Sequence, residues 1–256
     1  ILVANAVQLA FGKGVNVLTV FLIQGTVFFA VGFLSTLLVT FPTTERSIRQ
    51  EETPLAIQRP FWEPFFWAMV IAMLCGTFGG LIIIGNLTEL IVEKGFSVRV
   101  ATVAVSLFSV GNALGRVFWG RVVDRVGEKV VLISLVFLAF WIHGLVYSVG
   151  TTLSAAAFEV SVVFLIGFGF GASFVIHAAL TASRFGIARV GEIYPLVFLA
   201  YGVAGICGPP VSGVLRDNTA SYSTSILTAM IVVLLGAAFS VFVMRRRPKE
   251  PSSQQG

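Results

Sequence analysis

Residues 111–129 read Gly111-Asn112-Ala113-Leu114-Gly115-Arg116-Val117-Phe118-Trp119-Gly120-Arg121-Val122-Val123-Asp124-Arg125-Val126-Gly127-Glu128-Lys129. The charged half of that stretch, Gly120 to Lys129, interrupts two apolar runs at about 97–119 and 129–149. Each run meets the length of roughly 20 residues that a helix needs to cross about 30 Å of hydrocarbon. Four basic and two acidic side chains between Arg116 and Lys129 are too costly to leave in lipid. The segment therefore reads as a turn between two membrane spans. Gly120 allows helices to approach closely, and Gly127 permits the chain reversal. Asp124 can cap a neighbouring helix or pair with an arginine across a bundle, with Arg125 beside it, so that Gly120, Asp124, Arg125 and Gly127 together form a conformational latch.

The same length test, carried outward, gives seven full spans at roughly 15–41, 64–88, 97–119, 129–149, 153–178, 192–214 and 222–244, with a partial one over 1–11. The expected fold is all-α, a polytopic membrane helical bundle. Composition agrees, since 57% of the 256 residues are hydrophobic and 11% charged. Soluble domains run near 45–50% apolar and about 25% charged. An ordinary soluble enzyme, a disordered tail and a nucleic-acid binder are excluded on that ground. Cys75 and Cys207 make no disulfide framework and no metal-ligand spacing. No metal, no cofactor and no enzymatic constellation is expected.

The chain opens at Ile1 inside an apolar run and reads as beginning within a span of a longer protein. Residues 42–63 are polar, mixed in charge and bracketed by prolines, as a linker between two bundles would be. The expected organisation is the end of a first bundle over 1–41, a linker over 42–63, a six-helix bundle over 64–244 and a tail over 245–256. Thirteen of the 17 Lys and Arg fall on one side if the linker, 116–129, 183–192 and the tail share it; Lys13, Lys94, Arg99 and Arg216 fall on the other. The positive-inside rule then makes linker and C-terminus cytoplasmic, in a plasma or inner membrane. The tail cluster Arg245-Arg246-Arg247-Pro248-Lys249 suits anionic membrane lipid rather than nucleic acid.

Gly120-x-x-x-Asp124-Arg125-x-Gly127 resembles the loop signature of the major facilitator superfamily, with Glu128 departing from the usual basic residue. The resemblance implies two six-helix bundles, with this loop after the eighth helix and 42–63 as the central linker. Phe185-Gly186, Gly191-x-x-Tyr194, Ala200-Tyr201-Gly202 and Gly208-Pro209-Pro210-x-x-Gly213 are similar to the oxalate/formate antiporter family and to its sibling, the monocarboxylate porters. Both imply an antiporter or symporter of a small organic anion, coupled to a proton or a counter-anion, with an arginine at the position of Arg116 recognising substrate. Two departures bear on the substrate. The eleventh helix has no basic residue in its interior, where oxalate carriers have one, and Asn112 stands where monocarboxylate porters have an acid. One cation suits a monoanion better than a dianion.

Arg116 is also singled out by its own placement, one turn before Gly120, on the face of Asn112 and within a span. Its guanidinium keeps its charge and offers a planar fork to a carboxylate; the alternative is an arginine snorkelling to the membrane surface. Asn112 and Tyr201 are expected as neutral substrate neighbours. Glu159 and His177 are candidates for proton handling, against plain roles as an interfacial glutamate and a helix-packing histidine. Gly202, Gly205 and Gly208 beside Pro209-Pro210 suggest a close-packing, bendable helix. A transport-inactive receptor of the same fold and a carrier of non-carboxylate solutes are the competing functions.

Overall fold

The computed structural model of the chain describes residues 17–38, 60–147 and 152–245. Two compact units divide it, 1–55 and 56–256. The partial span over 1–11, most of the linker and the tail after Arg245 lie outside the described residues. The first unit contains α1 (Val17–Leu38), apolar on every face.

The second unit contains α2 (Pro64–Gly85), the seven-residue α3 (Leu87–Glu93), α4 (Val98–Val126), α5 (Lys129–Gly144), α6 (Leu153–Phe185), α7 (Val190–Thr219) and α8 (Ser223–Arg245). No strand occurs among the described residues. Among the described residues, five helical segments are long and apolar enough to cross a membrane: Pro64–Gly85, Val98–Val126, Leu153–Phe185, Ile187–Thr219 and Ser223–Val243. Of the other two expected spans, one is α1, apolar and 22 residues long, and the other is the shorter apolar helix Lys129–Gly144. At 1.5 Å per residue the latter reaches only about 24 Å.

Local chemistry sets the helix ends. Pro64 opens α2 at a position where its missing N–H is no loss. Ser97 and Thr152 cap α4 and α6, accepting the N–H of Val100 and Ala155. Gly127 and Gly186 end those helices at φ of +60° and +87°. The charged signature is less of a loop than its composition suggests. Gly120 to Val126 continue α4, and only Gly127 and Glu128 make the turn. Its charges ride on two extra helical turns.

The helices alternate in direction, so the bundle has two ends. At one, the α3 end, the termini of α2, α5 and α7 meet the starts of α4, α6 and α8. At the other, the Gly127 end, Arg184 late in α6 pairs with Glu63 at the start of α2. The closest helix pair is α4 with α6. A Cβ on Gly111 or Gly115 would lie 2.2 Å from the carbonyl oxygen of Phe164 or Phe168. On Gly167 or Gly171 it would lie 2.2 Å from the Phe108 oxygen or 2.4 Å from the Asn112 oxygen. Two facing Gly-x-x-x-Gly pairs thus bring the backbones into contact, as small residues do in lipid. Gly120, expected to serve that purpose, meets nothing nearer than Val175 at 3.6 Å. Gly202 and Gly205 of α7 meet nothing within 4 Å, and only Gly208 packs closely, against α2. The close-packing part of that expectation therefore narrows to Gly208.

Candidate functional site

Arg116 is exposed on α4, and its side chain turns back toward the helix N-terminus, the direction long helical side chains favour. Its Nε donates to Oδ1 of half-buried Asn112 one turn earlier, at 3.2 Å. Its Cζ lies 4.5 Å from the ring centroid of Phe174 on α6, a cation–π distance. A snorkelling arginine would extend toward the nearer Gly127 end of the bundle; this one points away from it.

Phe174 joins α4 to α7. Tyr201 packs edge-on against it at 5.2 Å between centroids, and Phe198 lies 5.3 Å from Tyr201. The Tyr194 hydroxyl donates to the Phe174 carbonyl oxygen at 3.0 Å. Arg116 and Tyr201 are thus gathered on opposite neighbours of one ring, with Asn112 holding the guanidinium. Gly171, one turn before Phe174, makes room for this, because a Cβ there would lie 3.1 Å from Asn112 Oδ1 and 3.2 Å from the Arg116 nitrogen. The arrangement offers an anion one fixed cation within an aromatic, neutral wall.

Phe174 carries no mark in the sequence that separates it from the 24 phenylalanines of the chain. Tyr194 stood in the Gly191-x-x-Tyr194 pattern, but its link to Phe174 depends on how α6 meets α7.

The remaining candidates lie elsewhere. Glu159 is fully buried near the start of α6, 3.0 Å from Lys94 Nζ. His177 is buried on α6, with Nδ1 2.6 Å from the Ser173 carbonyl. No hydrogen bond or ion pair joins either to Arg116 among the described residues. Asp124 and Arg125 are exposed at the Gly127 end, without a hydrogen bond or ion pair to any described residue.

A bundle of apolar helices long enough to cross a bilayer, with a cation and its polar neighbours set at mid-helix, defines an integral multi-pass membrane protein. The chain belongs to the Major Facilitator Superfamily, whose family model matches residues 1–194 and, in a second register, 69–256. It is similar to the oxalate:formate antiporter of Oxalobacter formigenes, 25% identical over 186 residues, which are 72% of this chain and 43% of that one. Human monocarboxylate transporter 11 is 25% identical over 161 residues, 61% of this chain and 34% of the relative. The transporter asaE of Aspergillus flavus is 25% identical over 219 residues, 85% and 49% respectively. The chain spans about half or less of the length of these relatives.

Proposed function

We propose that the chain is the C-terminal part of a secondary transporter that moves a small organic anion, a monocarboxylate or an oxalate- or formate-like ion, by alternating access. The observation that carries this reading is the held guanidinium of Arg116, tied through Nε to Asn112 and laid on Phe174. A carboxylate loses its hydration on entering a membrane-depth cavity, and a fixed cation offsets that cost. The names of two relatives, an oxalate:formate antiporter and a monocarboxylate transporter, support the same solute class. In this reading Asn112 positions Arg116, and Tyr201 supplies a neutral hydrogen-bond donor. Transport runs in exchange for a second anion or together with a proton. His177, buried on the same helix as Phe174, is the candidate proton-handling group of this reading. The Gly127 end, carrying Arg121, Arg125 and Lys129, faces the cytoplasm, and Asp124 acts there as part of a conformational latch.

Uptake of labelled formate, oxalate and lactate into proteoliposomes holding the full-length protein tests the reading. Arg116→Gln should nearly abolish uptake. Arg116→Lys, which keeps charge but loses the planar fork, should weaken it by roughly tenfold, the loss of one charge-assisted bond. Parent-level uptake by Arg116→Gln would sink the carboxylate reading and leave neutral solutes or cations.

A further inference from the structure

Two adjacent side chains at the end of α3 hold most of the bundle's near end together. Glu93 Oε1 accepts the backbone N–H of Tyr222 at 2.8 Å, in the turn between α7 and α8. Its Oε2 lies 3.5 Å from Nε of Arg216 in the last turns of α7, and that guanidinium lies over the Tyr222 ring. Lys94 reaches the opposite way. Its Nζ donates to both carboxylate oxygens of Glu159 on α6, at 3.0 and 3.1 Å, and to the carbonyl of Leu145, which follows α5. The short α3 is itself the covalent link between α2 and α4. Termini of all six long helices of the second unit are thereby tied through one dipeptide.

The two ties differ in kind. Lys94 and Glu159 are 13% and 0% exposed, so each is the other's chief compensation for leaving water. Burial holds the Lys94 pKa below its ordinary value, and the Glu159 carboxylate offsets only part of that shift. All three ammonium hydrogens have acceptors, as a buried lysine requires. The Glu93–Arg216 pair is longer and, at 29% and 47% exposed, open to solvent.

We propose that Glu93 and Lys94 form a hub that keeps the α3 end of the bundle one rigid plate, with Glu159 as its fixed counter-charge rather than as a carrier of transported protons. The plate leaves relative motion of α4, α6 and α7 to the Gly127 half, where Glu63 and Arg184 tie α2 to α6. This is independent of what Arg116 binds, and its thermal and distance tests need no substrate.

In the purified full-length protein, Lys94→Met and Glu159→Gln should each lower the thermal midpoint by on the order of 10 °C, as loss of one partner of a buried pair implies. The reversal Lys94→Glu with Glu159→Lys should recover more than half of that loss. Spin labels at the exposed Tyr147 and Thr219 should show one narrow distance in the parent and a broadened one in Lys94→Met. Should neither buried-site variant fold, Glu93→Gln reads the same hub through its solvent-open arm, and should broaden that distance with a smaller thermal loss. Parent-like midpoints in the single variants, no recovery in the reversal, or an unbroadened distance in Glu93→Gln would overturn the hub. So would a pH profile of uptake flattened by Glu159→Gln at unchanged stability.

Discussion

At Arg116 the donors are already partly assigned. Nε is spent on Asn112 and one face of the guanidinium on Phe174, which leaves the Nη pair as the free fork. In the proposed reading an anion is met end-on by that fork, with the aromatic ring as a floor. Asn112→Asp would put a carboxylate where the amide oxygen now lies, 3.2 Å from the guanidinium, and so compete with substrate for the charge. The expected result is an apparent KM raised by roughly tenfold or more, one charge-assisted bond's worth; an unchanged KM would place the anion elsewhere. Asp124 calls for the opposite separation of readouts. It is exposed and makes no hydrogen bond or ion pair with a described residue. Asp124→Asn should leave thermal stability within about 0.5 kcal/mol, as exposed substitutions do. Uptake should still fall if the proposed conformational latch at that end is lost. Parent-level uptake would return Asp124 to an ordinary surface charge.

Among the helices, the α4–α6 contact divides the glycines into those that pack and those that do not. Gly115→Ala would drive a Cβ to 2.2 Å from a Phe168 carbonyl that belongs to a helix backbone and cannot swing aside. A loss of about 1–3 kcal/mol is expected, the usual penalty of overpacking. Gly120→Ala meets only Val175 at 3.6 Å and should be neutral or stabilising by up to about 1 kcal/mol of helix propensity. Thermal unfolding in one detergent compares the two, and equal effects would contradict the packing. Gly127→Ala isolates backbone conformation. No atom lies within 4 Å of a Cβ there, yet φ is +60° and ψ −141°. Its cost should be about 1–3 kcal/mol of strain.

For the molecule as a whole, the asymmetry of 13 against 4 basic residues sets the orientation to be tested. The background should first replace Cys75 and the exposed Cys207. Single cysteines placed within 42–63 or 245–256 should then resist an impermeant thiol reagent in intact cells and react once the membrane is opened. Labelling of either segment in intact cells would reverse the topology.

The apolar runs, the charged turn at 120–129 and an arginine inside a span are legible in the chain alone, because transfer into lipid is close to a sum over consecutive residues. The same additivity locates helices without saying which of their faces meet. Lys94 and Glu159 read separately as loop and span residues, and only the approach of α3 to α6 makes them a buried pair. Phe174 becomes the floor of the Arg116 site, and Gly115 rather than Gly120 becomes the point of helix contact, through the crossing of α4 and α6. Lipid tails are as apolar as leucine, so burial alone does not choose between apolar faces. Close packing and a few polar ties make that choice, and both exist only in the tertiary structure.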